Sequence, residues 1–222
     1  MTLRDSHQAV LPGRELFFED WKVFSDTQHL RDTFLTDSLT LDVGAELNLR
    51  GKIRLGSQVV FRGLNRLDAG SVVDNFCTLI NCTFGEKNYV RPNSILEGVA
   101  VGQENVLGPN CFIRSGSVIG DNCIIGAGVE VAKSKISNNV KISHYCYVGD
   151  AMIGNNTVIG AGVIFCNWRD GKHFISDVGA EVLIGSGSNL VAPIHIGEGA
   201  VIGAGTTITK DVPKNSKIIQ KK

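Results

Sequence analysis

The sequence lacks a charge excess of either sign, a long apolar run and a closely spaced pair of cysteines. Its 22 Lys and Arg residues balance 22 Asp and Glu residues. No basic run lies on a predicted face, which argues against nucleic acid as a partner. No apolar stretch reaches the roughly 20 residues that a membrane-spanning helix needs, so we expect no membrane insertion. The first residues carry charges and no apolar core, so we also expect no signal peptide.

The six cysteines include no C-x-x-C pair. Four of them, Cys77, Cys111, Cys123 and Cys146, occupy one recurring position in the repeat described next, where Ser, Thr, Val and Ala occur elsewhere. We therefore expect them to fill the core as small apolar side chains. Because no disulfide or zinc framework is predicted, a reduced, cytoplasmic compartment is favoured.

A repeat of six residues dominates the sequence and is clearest between Val178 and Ile208. Neither a helical stripe, which recurs at three to four residues, nor a strand face, which recurs at two, has this period. It is typical of an all-β solenoid in which three short strands make one triangular coil. Two positions of each hexad are predicted to point inward, one aliphatic and one small or β-branched. The aliphatic set is Val178, Ile184, Leu190, Ile196, Ile202 and Ile208, and the second set is Val182, Ser188, Ile194, Ala200 and Thr206.

The same rhythm extends back to Val43 and defines the predicted domain organisation. Residues 43–213 form the predicted β-helix, and an extruded polar loop, CNWRDGKHFISD, interrupts it at 166–177. Residues 1–42 are expected to cap the first coil as a short helix or an irregular plug, since a solenoid needs covered ends. Residues 214–222 are expected to form a basic tail beyond the last coil.

A family resemblance rests on the run HYCYVGDAMIGNNTVIGAGVIFCNWRDGKHF, which begins at His144, and on the hexads that follow it. With its H-x-x-Y-x-G-D segment and C-N-aromatic loop, the chain resembles the acetyltransferase domain of the bacterial bifunctional N-acetylglucosamine-1-phosphate uridyltransferase. That family acetylates glucosamine 1-phosphate. The resemblance is close over 113–212 and looser over 43–107. The family's Gly-rich nucleotidyltransferase signature is absent, so we expect no uridyltransferase activity.

The resemblance implies a left-handed parallel β-helix, an exception to the usual right-handed crossover. It also implies a homotrimer whose active sites lie between subunits, with acetyl-CoA as the acyl donor and no metal required for the transfer. The expected acceptor is a small-molecule amino sugar, either glucosamine 1-phosphate or a related sugar phosphate.

Site residues follow from the resemblance position by position. His144 matches the general base, whose imidazole titrates near neutrality, and Asn167 matches an amide that holds the reacting groups. The predicted coenzyme contacts are Ala161, Trp168, Ser186, Ala204 and Lys221.

The predicted acceptor contacts are Arg114, Lys133, Tyr147, Lys172 and His173. Three positions depart from the family. Ala132 stands where a lysine is expected, although Lys133 follows it, Val158 replaces an asparagine, and His173 replaces a lysine. Because an unmatched polar group on a ligand typically costs about 1–3 kcal/mol, these departures favour an altered acceptor.

Three alternatives accompany this interpretation. A carbonic anhydrase on the same fold needs three converging histidines, two of them close in sequence, whereas His144, His173 and His195 are far apart. Cys166, beside Asn167, could act as a covalent nucleophile. Nothing adjacent to it would lower the pKa of its thiol, and the resemblance implies direct transfer of the acyl group. A non-catalytic, coenzyme-A-binding or scaffold β-helix protein is the remaining alternative.

Overall fold

The computed structural model describes residues 9–10, 22–25, 34–35, 38–42 and 44–219. Within these ranges the backbone forms short strands and no helix. The strands lie in three sheets, here called faces 1, 2 and 3, plus one two-stranded hairpin. No helical segment of the described ranges has the length and apolar character that a membrane crossing requires.

Strands are numbered along the chain, and face 1 contains eleven of them: β1 (Ala9–Val10), β4 (Ser38–Leu41), β7 (Val59–Arg62), β10 (Thr78–Ile80), β13 (Ile95–Glu97), β16 (Phe112–Ile113), β19 (Glu130–Ala132), β22 (Tyr147–Gly149), β25 (Ile164–Cys166), β30 (Asn189–Val191) and β33 (Thr207–Ile208). Face 2 contains ten strands: β2 (Lys22–Ser25), β5 (Glu46–Leu49), β8 (Leu64–Leu67), β11 (Thr83–Phe84), β14 (Ala100–Val101), β17 (Val118–Ile119), β20 (Lys135–Ile136), β23 (Ala151–Ile153), β28 (Ser176–Val178) and β31 (Ile194–Ile196). Face 3 contains eleven strands: β3 (Phe34–Leu35), β6 (Arg54–Leu55), β9 (Val72–Val73), β12 (Tyr89–Val90), β15 (Val106–Leu107), β18 (Ile124–Ile125), β21 (Lys141–Ile142), β24 (Val158–Ile159), β29 (Leu183–Ile184), β32 (Val201–Ile202) and β34 (Lys217–Ile218). The hairpin pairs β26 (Trp168–Arg169) with β27 (Lys172–His173).

The chain visits faces 1, 2 and 3 in turn and then begins the next coil. Glu130 of β19 pairs in parallel with Phe112 below it and Tyr147 above it, so each residue meets its counterpart one coil away. β1 is antiparallel to β4 at one end of face 1. The predicted all-β fold, a left-handed parallel β-helix, is confirmed, with about ten coils.

Burial follows the predicted hexad positions. Both inward sets between Val178 and Ile208 are buried, from Ile184 and Ser188 at 0% exposure to Ile208 at 5%. Larger side chains fill the same interior, including Phe61, Phe84 and Phe165. This core is held only by contacts between neighbouring coils, as expected for a solenoid.

Glycine marks the edges where successive coils approach closely. A Cβ atom on Gly185 would lie 2.4 Å from the backbone nitrogen of Ala204, one coil away. No side chain fits that distance, so glycine is required for the stacking of these two coils.

The buried cysteines agree with the predicted core positions: Cys77, Cys111, Cys123 and Cys146 all lie in the core. Burial disfavours the charged thiolate and raises the pKa of Cys77 and of Cys111 to about 11. All six cysteines of the chain are free thiols.

The two ends of the predicted β-helix differ from the expected boundaries. β2 pairs in parallel with β5, β3 with β6 and β4 with β7, so the described parts of 22–41 continue the coil rather than forming a helical cap. Val43 and most of the predicted cap lie outside the described residues. At the other end, β34 pairs with β32 and Ile218 packs against the core, so the segment after 213 still winds with the helix.

Candidate active site

One edge of the prism carries four of the predicted site residues in a column. His144, Ala161, Ser186 and Ala204 each occupy the turn that leads from face 3 to face 1, here called the 3/1 edge. Backbone hydrogen bonds link the turns coil by coil: the amides of Gly162, Gly187 and Gly205 donate to the carbonyls of His144 (2.9 Å), Ala161 (2.8 Å) and Ser186 (2.8 Å). His144 and Ala204 are 60 residues apart in sequence (204 − 144), yet the winding places the four residues in one column.

His144 is exposed at the start of this column. Its Nδ1 atom lies 3.1 Å from the point that a Cβ on Gly126 would occupy, so the missing side chain of Gly126 leaves room for the imidazole. Among the described residues, the His144 side chain has no hydrogen-bond or ion-pair partner. Neither ring nitrogen is therefore used in a contact within the described part of the chain.

The column above His144 offers backbone donors. The amides of Ala161, Ser186 and Ala204 donate no hydrogen bond within the described part of the chain, because the neighbouring glycine amides carry the contacts between coils. The side chains at these positions are small, and Ser186 and Ala204 are exposed residues. Such a row of unpaired N–H groups suits a ligand with several carbonyl oxygens.

A second cluster lies at the 1/2 edge, where the chain turns from face 1 to face 2. The Asn167 Nδ2 amide donates to Oδ2 of Asp150 and to the hydroxyl oxygen of Tyr147, 3.3 Å away. The same Oδ2 lies 2.7 Å from Nδ1 of His173. Asn167 is 5% exposed and the Asp150 side chain 15% exposed, so these two groups are largely shielded from water, whereas the His173 side chain is 50% exposed.

Gly149 makes this network possible. A Cβ at position 149 would lie 2.5 Å from both the Asn167 Nδ2 atom and the Tyr147 hydroxyl oxygen. Any side chain there would push the two groups apart.

The extruded loop is a β-hairpin and not an irregular excursion. Asp170 (φ 51°) and Gly171 (φ 74°) both have positive φ at its tip, the combination that a tight type I′ turn needs. The rings of Trp168 and His173 meet across the hairpin with centroids 4.9 Å apart and an interplanar angle of 64°. The Arg169 guanidinium lies 5.0 Å from the centre of the Phe174 ring.

Cationic side chains surround the 1/2 edge. Lys133 occupies the turn one coil before Asp150, and Lys172 is exposed on the hairpin. Arg114 follows β16 and its Nη1 lies 3.0 Å from Oε1 of Glu130. The cluster has more positive than negative side chains on its exposed surface, although Glu130 offsets part of that charge.

Sequence reasoning missed two members of this region. Asp150 is the acid of the H-x-x-Y-x-G-D segment, which was a usable signal, but its contacts depend on how the hairpin folds back. Glu130 gave no signal, because its pairing with Arg114 joins residues 16 positions apart in adjacent coils.

The remaining predicted site residues are placed as follows. Ala132, at the departure from the family, is 8% exposed but is not part of the hydrophobic core cluster. Val158 points outward on face 3 between Lys141 and Leu183, away from the 1/2 edge. Lys221 lies outside the described residues. Within the described ranges, no three His, Cys, Asp or Glu side chains form a group that could hold a metal ion.

Cys166 is less buried than the other cysteines, yet desolvation raises the pKa of its thiol. A nucleophilic cysteine needs the opposite shift. Its environment is therefore that of an unreactive thiol.

Comparisons with known proteins agree with this architecture. Residues 95–187 match the family model of the GMPPB C-terminal domain, and residues 176–210 match the bacterial transferase hexapeptide with six repeats. The bifunctional protein GlmU of Janthinobacterium sp. (strain Marseille) is 36% identical over 200 residues, which cover 87% of this chain and 44% of that protein. The bifunctional protein GlmU of Herminiimonas arsenicoxydans is 37% identical over 193 residues, covering 84% and 43%.

This chain thus spans less than half the length of these curated relatives. A solved structure, the UDP-N-acetylglucosamine acyltransferase from Campylobacter jejuni, shares 12% sequence identity with a TM-score of 0.38, over 78% of this chain and 66% of that one.

Proposed function

We propose that this chain is an acetyl-CoA-dependent N-acetyltransferase, because part of it matches the bacterial transferase hexapeptide model and because it is similar to the bifunctional GlmU proteins. Its acceptor in this proposal is an amino sugar, either glucosamine 1-phosphate or a related sugar phosphate. His144 is the general base.

The column on the 3/1 edge is the observation that carries the proposal. It aligns the exposed imidazole of His144 with the free backbone amides of Ala161, Ser186 and Ala204, one coil apart from each other. Coils are spaced by about 4.8 Å, so the row extends for roughly 15 Å, which suits an elongated ligand. The pantetheine arm of acetyl-CoA is such a ligand, and its amide carbonyls match the row of donors.

Acetyl-CoA supplies an activated acyl group as a thioester. His144 accepts a proton from the acceptor amine as the amine nitrogen bonds to the acetyl carbon, and the carbon–sulfur bond then breaks. The proton passes from the imidazole to the departing thiolate, so the base returns to its starting state. Direct transfer needs no acyl-enzyme, which fits the unreactive environment of Cys166.

The 1/2 edge has the properties expected of an acceptor site. Tyr147 and Asn167 provide polar groups for sugar hydroxyls, while Arg114, Lys133 and Lys172 provide positive charge for a phosphate. Guanidinium groups are well suited to phosphate oxygens because of their paired donors.

We further propose a homotrimer with its active sites between subunits. The outward side chains of face 3 are mainly aliphatic, with Ile124 at 44% and Leu183 at 46% exposure. An apolar sheet face of this kind usually marks an interaction surface. Face 3 adjoins the edge that holds His144, and in this proposal the subunit packed there places its own 1/2 edge beside that histidine. Light scattering would report the mass, and Leu183→Glu should dissociate the trimer, whereas Leu64→Glu on face 2 should not.

A cytoplasmic location is proposed as well. Six free thiols are consistent with a reducing compartment, since secreted proteins of this size rarely leave that many cysteines unpaired.

The decisive experiment separates binding from turnover. Acetyl-CoA should raise the melting temperature, and thiol release should occur with glucosamine 1-phosphate or another amino sugar of a panel. His144→Ala should abolish thiol release and keep the thermal shift, while His195→Ala, an exposed histidine on face 2, should keep both.

A wild-type protein that binds acetyl-CoA but releases no thiol with any acceptor would favour the non-catalytic, coenzyme-A-binding alternative. A protein that shows neither response would favour a scaffold. Thiol release at the full rate by His144→Ala would remove the histidine from the mechanism.

A further inference from the structure

The carboxylate of Asp150 lies at the centre of the 1/2 edge, and one of its oxygens contacts two residues. Its Oδ2 atom accepts a hydrogen bond from the Asn167 amide and lies 2.7 Å from Nδ1 of His173. A carboxylate oxygen accepts hydrogen bonds and has no hydrogen to donate. The group that Asn167 turns towards it must therefore be NH2 and not the carbonyl oxygen.

This contact determines which end of the Asn167 side chain faces outward. Both Nδ2 hydrogens are used, one on Asp150 and one on the Tyr147 hydroxyl oxygen. The carbonyl oxygen Oδ1 has no hydrogen-bond partner among the described residues and is not among their buried unpaired atoms. This oxygen is therefore the atom of the amide that can contact a ligand.

Tyr147 offers a hydrogen-bond donor beside the acceptor oxygen of Asn167. Its oxygen accepts from Asn167, so its own hydrogen remains to be donated. A donor and an acceptor therefore lie side by side at the 1/2 edge. An amino sugar, with N–H donors next to hydroxyl oxygens, matches such a pair.

From this geometry we infer that Asp150 is a positioning residue, which orients the Asn167 amide and anchors the 168–173 hairpin so that an acceptor oxygen faces the amine. The inference rests on the proposed acetyltransferase function. Asp150 acts through Asn167 and His173, so its effect is expected mainly on the acceptor and less on the acetyl donor.

Three variants test this role in the full chain. Asp150→Ala removes both contacts and should lower kcat/KM for the amino-sugar acceptor roughly tenfold to a hundredfold, as expected for a misplaced reacting group. The KM for acetyl-CoA should change less than the acceptor kinetics, because the 3/1 edge is untouched and only Trp168 of the predicted coenzyme contacts lies in the hairpin. Asn167→Asp sets two carboxylates against each other and should cause a comparable loss.

The exchanged pair Asp150→Asn with Asn167→Asp is the informative variant. In it the amide at position 150 can donate to the carboxylate at position 167, whose second oxygen then faces outward as an acceptor. Adding Asp150→Asn to Asn167→Asp should therefore raise kcat/KM about tenfold. Asp177→Asn is the matched control, since Asp177 also contacts a histidine, His195 at 3.1 Å, but on face 2. It should leave the kinetics unchanged.

The inference is overturned if Asp150→Ala keeps wild-type kinetics. It is also overturned if the exchanged pair is no better than Asn167→Asp, or if acceptor and donor parameters fall together with the melting temperature. An inactive wild type would refute the proposed function, and the inference with it. An active wild type with an unaffected Asp150→Ala variant would refute only the inference.

Discussion

The Arg114 guanidinium is held by Glu130: its Nη1 atom lies 3.0 Å from the carboxylate Oε1 one coil away. Both side chains are substantially exposed, at 50% and 38%, so the pair contributes little to stability. If Arg114 holds the acceptor phosphate as proposed, Glu130 competes with that phosphate for the guanidinium.

Glu130→Gln should therefore improve binding of a phosphorylated acceptor. Removing the carboxylate frees Arg114 and removes a repulsive charge, so the KM for glucosamine 1-phosphate should fall about threefold to tenfold. The KM for glucosamine, which has no phosphate, should not change. Steady-state thiol-release kinetics with the two acceptors would measure the difference.

Glu104→Gln is the control, because it breaks a similar exposed pair with Lys87 elsewhere on the prism. It should leave both KM values unchanged. An equal change for the two acceptors in Glu130→Gln would contradict a phosphate site at Arg114.

The hairpin supplies a second prediction through Trp168, whose side chain is 59% exposed. If it lines the coenzyme cleft, Trp168→Ala should raise the KM for acetyl-CoA about tenfold, since burying an aromatic ring on binding contributes substantially. Ile175 is 60% exposed in the same loop and gives a matched control. Ile175→Ala should leave that KM unchanged, and equal effects of both variants would point to general loosening of the loop.

Much of the fold could be predicted from the sequence because the position of a residue in the hexad predicts whether its side chain is buried. Ile184 and Ser188 lie inside the prism where the period places them, and His144 lies outside. The contacts between coils could not be predicted in the same way. Glu130 is in register with Phe112, so its contact with Arg114 runs diagonally between coils and depends on side-chain direction, which the period does not encode.

The hexad repeat also could not predict that amino-terminal strands join the coil. Lys22–Ser25 forms β2 beside β5 although its sequence, KVFS, shows no hexad. Pairing with an existing sheet edge overrode the weak local pattern, as is common for strands. The role of Asp150 was missed for a similar reason: its partners come from a hairpin whose path the period does not encode.

Close stacking at the 3/1 edge gives a stability prediction. Gly185→Ala would set a Cβ against the Ala204 backbone, which cannot move aside without shifting a coil, so a loss of roughly 2–4 kcal/mol is expected. Gly187 has a φ of +68° but no atom within 4 Å of the added Cβ. Gly187→Ala should therefore cost only about 1–2 kcal/mol, from backbone strain alone. Denaturant unfolding would compare them, and equal losses would contradict the steric explanation.

The buried thiols make stability dependent on alkaline pH. Burial raises the pKa of Cys77 from 9.0 to about 11, so the folded state favours the neutral thiol. A raised folded-state pKa contributes stability that is complete below the unfolded value and is lost as pH rises through the folded value. The free energy of unfolding should thus decrease between about pH 9 and 11, by on the order of 2 kcal/mol for this thiol.

Cys77→Val isolates that contribution, since Val59 and Val129 occupy corresponding buried positions in other coils. The variant should fold and show a shallower decrease over the same pH range. Cys166→Val, which removes a less buried thiol, should retain most of the wild-type slope. Urea unfolding at a series of pH values would measure all three proteins, and a Cys77→Val curve parallel to the wild type would show that this thiol does not titrate in the unfolding equilibrium.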